Sequence, residues 1–268
     1  MKLQKIINRL QKLHPKEIDL SLDRIKNLCK KLGNPQDEIN CIQVCGTNGK
    51  GSTISFLRSI LREANVKCNI YTSPHVKQIN ERFVYNDEMI GDDDLADLLN
   101  KIEEINNGQP LTYFEALTAA FFYGCKKYKK NLTITEFGLF GRGDAVNILK
   151  KNLCNIVTSC SEDHLDWLPK NDRNIERIIF EKTSSLLDSN IVVAKQTSDK
   201  ITECIKKNIS NNSANKYYFN EDYNFVLKEN NFFYFEDKYG GLKIPKPNLN
   251  GQFQLENAST AIATLRIL

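Results

Sequence analysis

The stretch INCIQVCGTNGKGST, Ile39–Thr53, decides the fold. Its first half, INCIQVCG, is an apolar run with β-branched residues that ends at glycine, the pattern of a strand buried in a parallel sheet. Its second half sets Gly46, Gly49 and Gly51 around Thr47, Asn48 and Lys50, and Ser52 and Thr53 lead on into a helical pattern from about Lys50 to Ala64. Strand, glycine-rich turn and helix in that order place first-turn N–H groups and the helix dipole where an anion sits, while small residues let the backbone approach it. Lys50 adds a point charge for the β and γ phosphates of a nucleotide. The stretch departs from the common G-x-x-x-x-G-K-[ST] form, because Val44 stands at the first glycine position and Gly51 separates Lys50 from Ser52. A plain turn with a solvated lysine is the competing reading, but three glycines behind a buried strand are costly in conformational entropy without a purpose.

On either side the alternation of strand and helix continues. Residues 1 to about 36 place lysines and leucine or isoleucine at helical spacing and close on Gly33, Asn34 and Pro35, which predicts two short helices. Downstream follow strand KCNIYTS, a helix near Asp92–Asn106, helix LTYFEALTAAFFYGCKKY, strands NLTITEFG and NLCNIVTS, a helix near Ile175–Leu187 and strand NIVVA. This predicts an α/β fold, a mostly parallel sheet flanked by helices. From Lys216 to Pro247 short aromatic strands with turns predict a small antiparallel β unit. We expect one nucleotide-binding domain over 1–268, with a helical lead-in at 1–40, the core at 41–210, the antiparallel unit at 216–247 and a last helix at 255–268. That helix carries no glycine or proline stop, so a continuation is expected beyond it.

Lysine and arginine total 37 against 33 acidic residues, a net charge of +4, too small and too evenly spread for nucleic-acid binding. No secretory leader or membrane-length apolar run is visible, so we expect a cytoplasmic protein without a membrane partner, and a monomer. The eight cysteines have no C-x-x-C pairs and read as reduced core residues.

With the loop in place, further stretches match one family. IDLSLDRIKNLCKKLGNP, GTNGKGST, YTSPH, LTYFEALT, ITEFGLFGRGDAVN, EDHLDWL, the pair Glu181–Lys182 and ENASTAIATL stand in the order seen in folylpolyglutamate synthase and dihydrofolate synthase. From about Pro15 to its last residue the sequence resembles these members of the Mur ligase superfamily, which form amide bonds with ATP. The resemblance implies that ATP phosphorylates a carboxylate of dihydropteroate or of a tetrahydrofolate glutamate tail, and that the amine of L-glutamate displaces phosphate from the acyl phosphate. LTYFE and IDLSLDRI favour this folate branch over a cell-wall ligase; a noncatalytic nucleotide-binding module of the same fold is the alternative.

The same resemblance implies residue roles. Ser73, Glu136 and His164 are the expected Mg²⁺ ligands, and Gly46, Thr47, Asn48, Gly49, Lys50, Gly51, Ser52 and Thr53 hold the phosphates of ATP. Lys182 corresponds to a lysine that is carbamylated in relatives and holds a second metal; Lys50, Lys182 and His164 are the catalytic group. Phe114 as a stacking surface and Asp144 as a hydrogen-bond partner would hold the pterin ring, with His75 and Arg142 bordering the substrate. Asn257 would approach the adenine. Singly, most of these have plainer readings: Ser73 and Asp144 as turn residues, Phe114 as helix core, Glu136 as an ion-pair partner, His164 packed beside Trp167, Lys182 on an amphipathic helix, Asn257 as a helix cap or surface amide. Three departures from the family stand out: Phe140 in place of glycine, Gly143 in place of a larger apolar residue, and EKTSSLL in place of a small apolar run after the lysine. The family's C-terminal glutamate-binding domain has no counterpart here, and the chain alone is expected to bind Mg-ATP weakly without turning over.

Overall fold

The computed structural model describes residues 2–14, 16, 19–229 and 231–268. Pro15 and Ile18, where the family resemblance begins, lie outside them. In chain order the elements are α1 (Lys2–Leu10), α2 (Asp23–Lys31), β1 (Asn40–Cys45), α3 (Lys50–Glu63), β2 (Cys68–Tyr71), β3 (Phe83–Tyr85), β4 (Glu88–Met89), α4 (Asp92–Asn106), α5 (Tyr113–Cys125) and β5 (Leu132–Glu136). They continue with β6 (Cys154–Val157), α6 (Ile175–Thr183), β7 (Asn190–Val193), α7 (Asp199–Asn208), β8 (Lys216–Tyr218), β9 (Tyr223–Glu229), β10 (Phe232–Asp237), β11 (Gly240–Pro245) and α8 (Phe253–Ile267). The chain divides into two compact units, and β1 starts in the first and continues in the second.

The first unit comprises Met1–Cys41, Asn65–Gly138 and Gly143–Lys150. Here β2 runs parallel to β5, with Cys68 opposite Leu132 and Tyr71 opposite Thr135, and antiparallel to β3, which turns into β4. The apolar α5 buries Ala116, Leu117, Ala119, Ala120, Phe121 and Phe122. The Phe121 ring stacks on Tyr71 and Tyr85 with centroids at 4.9 and 5.5 Å, so aromatic area supplies much of this core. Helix α1 buries Ile6, Ile7 and Leu10 and packs on α4, where Arg9 Nε donates to Glu103 Oε1 at 2.8 Å.

The second unit comprises Ile42–Ala64, Leu139–Arg142 and Lys151–Leu268. Strands β1, β6, β7 and β8 pair in that order and all in parallel, with Val44 opposite Ile156 and Ile156 opposite Val192. The sequences of β1, β6 and β7 are near-continuous apolar runs because both faces are covered, whereas β8 at the edge is only half-buried. Helices α3 and α8 pack together, and α8 also packs against β7 and β9. The Tyr223 hydroxyl donates to Val193 O at 3.0 Å and ties the antiparallel sheet β9-β10-β11 to β7.

Three elements differ from the sequence expectation. Lys216–Tyr218 is not part of the antiparallel unit, which spans 223–245; it pairs in parallel with β7, because Lys216, Tyr217 and Tyr218 continue the register of Ile191–Val193. The β3–β4 hairpin was not anticipated, although Asn86 and Asp87, at φ 54° and 69°, form the two-residue turn such hairpins favour. Helix α7 was missed as well; Ile205 is its one fully buried residue, too little for a strong periodic signal. Seven of the eight cysteines are buried and all are free thiols, as the spacing implied. No helix among the described residues is long and apolar enough to cross a membrane.

Candidate functional site

The loop between β1 and α3 is shaped by contacts that only glycine permits. Gly46 has φ 129°, and a Cβ there would lie 2.0 Å from Thr158 Oγ1. Gly49, at φ 89°, precedes α3, and a Cβ on it would meet Asn257 Oδ1 at 2.3 Å. Gly51, in contrast, has no heavy atom within 4 Å of its Cβ position, so packing within the chain does not require a glycine there. Thr47 N and Asn48 N donate to Ser159 O at 2.9 and 3.0 Å. Thr47 Oγ1 donates to Ser161 O, and Asn48 Nδ2 to Ser161 Oγ, each at 3.1 Å. These bonds fasten the first half of the loop to the segment after β6. Gly49, the N-cap of α3, brings no capping side chain of its own, and Thr53 N donates to Gly49 O at 2.8 Å, so the loop leads directly into a helix N-terminus, the kind of place where anions bind.

Two ammonium groups converge on one carbonyl. Lys50 Nζ donates to Gly46 O at 3.2 Å and to Thr47 O at 3.1 Å, and Lys182 Nζ, from α6, donates to the same Gly46 O at 2.9 Å. Lys182 is 3% exposed. Burial holds its amine below the ordinary lysine value, and the charge of Lys50 acts in the same direction. A buried amine with a depressed pKa has a neutral fraction able to react with carbon dioxide. Beside it, Glu181 takes a two-pronged ion pair from Arg142, Nε to Oε2 at 3.0 Å and Nη2 to Oε1 at 2.8 Å, and a further bond from Arg177. Arg142 is thus committed to α6, a partner the sequence did not reveal.

His164 follows β6 at φ 55°, and its Nε2 lies 3.1 Å from Asp163 Oδ2. Burial lowers its pKa against the pull of Asp163, with Lys182 and Lys50 lowering it further, so the imidazole favours the neutral form a metal ligand needs. Phe140, the residue standing in place of the family's glycine, also has a left-handed φ of 55°, a conformation that costs an L-residue about 1–2 kcal/mol.

In the first unit, Ser73 N donates to Glu136 Oε2 at 3.1 Å, which brings these two expected ligands together at the ends of β2 and β5. Ser73 Oγ is buried without a hydrogen-bond partner. An orphaned hydroxyl oxygen beside an anchored carboxylate fits a hard divalent cation. Among the described residues no three His, Cys, Asp or Glu side chains form a metal cluster, so a cation here needs further oxygens, as from phosphate. His164 belongs to the second unit.

Phe114 is half-buried in the first turn of α5, its ring 6.1 Å from Tyr71, and Gly138 has no side chain because a Cβ would meet Phe114 Cζ at 2.6 Å. Asp144 is buried, and its Oδ1 accepts from Val146 N at 2.9 Å, realising the turn reading at that oxygen. Gly143 reflects a close approach, since a Cβ would lie 2.8 Å from Leu20 Cβ. His75 Nδ1 accepts from Arg82 Nε at 2.9 Å, and burial together with Arg82 lowers its pKa. Asn257 is neither a cap nor a surface amide: it is buried inside α8, donates to Gln254 Oε1 at 3.1 Å and faces Gly49. Thr158 and Ser159, which shape the loop, escaped the sequence reading because a small polar residue after a strand carries no distinctive signal.

The comparisons with known proteins bear on the family and the fold. Residues 44–265 match the Mur ligase middle domain. The dihydrofolate synthase/folylpolyglutamate synthase of Bacillus subtilis is 34% identical over 201 residues, which is 72% of this chain and 46% of the relative. That of Buchnera aphidicola is 30% identical over 96% of this chain and 60% of its own length. The chain therefore spans about half the length of these relatives. A solved structure of Escherichia coli FolC in complex with DHPP and ADP superposes with a TM-score of 0.87 at 31% identity, over 98% of this chain and 61% of that one. The bifunctional synthase of Yersinia pestis, complexed with AMPPNP and Mn ion, gives 0.86 at 29% identity over 98% and 62%. On the match across residues 44–265, the chain belongs to the Mur ligase middle domain family.

Proposed function

We propose that this chain is the ATP-binding part of a ligase that adds L-glutamate to dihydropteroate, to the glutamate tail of folates, or to both, in the cytoplasm. The observation that carries the reading is the glycine-shaped loop leading into α3, on whose Gly46 carbonyl the Lys50 and Lys182 side chains converge. The likeness to synthases whose structures hold ADP, AMPPNP, Mn and DHPP supports it.

In this reading Gly49–Thr53 and Lys50 grip the β and γ phosphates, and the Asn257 amide, placed against Gly49, borders the adenine side. Ser73, Glu136 and His164 would be the ligands of Mg²⁺, which would neutralise phosphate charge during phosphoryl transfer. The substrate carboxylate takes the phosphoryl group and ADP leaves; the amine of glutamate then attacks the acyl carbon, and phosphate departs with the electron pair of the broken C–O bond. Lys182 is the site of carbamylation and of a second metal. Phe114 and Asp144 hold the pterin, with His75 and Arg142 at the border of the substrate. The protein acts as a monomer.

Binding is tested by thermal unfolding with Mg-ATP. At a hundredfold excess over Kd a ligand adds about 2.7 kcal/mol to stability, and the Lys50→Met variant is expected to lose that increment. Phosphate release that requires both dihydropteroate and glutamate identifies the ligase. Binding without such release identifies a noncatalytic module, and no binding refutes the site.

A further inference from the structure

Eight non-glycine residues among those described have a positive φ, and six are Asn or Asp, which with His are the types that adopt this region most readily. The other two, Phe140 and His164, face one another. Their rings meet edge to face, with centroids 6.3 Å apart and planes at 82°. Phe140 is 1% exposed and packs with Leu168 and Ile178, and Leu139 and Leu165 lie against the same cluster. Leu165 begins the short turn after His164, while Ile178 sits on α6 four residues before Lys182, whose Nζ lies 5.9 Å from the centre of the Phe140 ring. The ring is thus wedged between the segment that carries His164 and the helix that carries Lys182. Its backbone is anchored on the same helix, for Arg142 N donates to Glu181 O at 3.0 Å and the Arg142 guanidinium grips the Glu181 carboxylate.

A side chain needed only to fill volume has no reason to occupy a strained backbone position, since Leu139 next to it supplies apolar bulk without one. Strain retained at a residue that touches two functional groups is characteristic of sites where orientation matters. We propose that Phe140 is a positioning residue: its aromatic face fixes the orientation of the His164 imidazole and the separation between that imidazole and the Lys182 amine. The inference rests on the reading of His164 and Lys182 as groups acting at the phosphate loop.

The test uses the full chain with Phe140→Leu, which keeps apolar volume without the ring, and Phe140→Tyr, which keeps the ring. The first readout needs no ligand. In Phe140→Leu the imidazole proton resonances of His164 shift as the ring current is lost, those of His14 and His75 stay in place, and in Phe140→Tyr the His164 signals remain near their original positions. The second is Mn²⁺-ATP binding, followed by electron paramagnetic resonance. Loss of a residue that orients a metal ligand weakens affinity about 10- to 100-fold, and the tyrosine variant is expected to restore it. Phe140→Met, with an unbranched chain of similar bulk, replaces the leucine variant should that one not fold. Unshifted His164 resonances, or a ring-less variant that binds Mn²⁺-ATP as the parent does, overturn the inference. A parent that binds no Mn²⁺-ATP sinks the reading of the site instead, and the imidazole shift alone then decides the role of Phe140.

Discussion

At the scale of single residues, the three loop glycines have different physical grounds, and substitution separates them. Gly46→Ala drives a methyl into Thr158 at a backbone angle that alanine resists, so a loss of roughly 2–5 kcal/mol is expected in urea unfolding. Gly51→Ala meets nothing and replaces a poor helix former in the first turn of α3, so it is expected to raise stability by about 0.5 kcal/mol while weakening ATP binding. A variant that is more stable yet binds less is the signature of a glycine kept for a ligand. Lys182 gives a pH prediction. Its folded-state pKa lies below the unfolded value, so between the two the unfolded chain binds more protons and stability rises with pH, the gain completing as pH approaches 10.5. In carbon-dioxide-free buffer, Lys182→Met should lack this alkaline gain, so the difference between the two stability curves isolates the amine. In bicarbonate labelled with ¹³C, the parent alone should show a carbamate resonance.

At the scale of elements, local signals were legible wherever they were dense. The Thr112-x-x-Glu115 pattern marks the start of α5: Thr112 Oγ1 accepts from Glu115 N at 3.3 Å, and Thr112 N donates to Glu115 Oε2 at 2.7 Å. Glu115 also holds Arg24 Nε of α2 at 3.0 Å, so the cap serves two helices. Thr112→Ala should therefore cost about 1–2 kcal/mol, read as a lowered urea midpoint with an unchanged slope. Parallel strands β1, β6 and β7 showed as apolar runs because they are covered on both faces. Strand β8 did not: its three residues are all half-buried and aromatic or basic, and only pairing with Ile191–Val193 distinguishes it from the antiparallel strands that follow.

At the scale of the whole molecule, each unit closes its own core, and the thiols report on this. Seven of eight cysteines are buried, so under native conditions Cys204 alone should react promptly with an aromatic disulfide reagent, and all eight after unfolding. Rapid reaction of more than one thiol in the native state would contradict the packing described here. What the sequence by itself determined is the order of most strands and helices, the glycine-rich turn between β1 and α3 and the family, because periodicity, glycine spacing and short motifs are properties of neighbouring residues. What only the tertiary structure decided is which distant groups meet. Lys182 shares a carbonyl with Lys50 although 136 residues separate it from Gly46, Asn257 closes on Gly49, Arg142 is held by Glu181, and the Phe140 and His164 rings lie in contact. Such meetings depend on how helices settle on the sheet and on where strained backbone turns a side chain, and neither is written in local spacing.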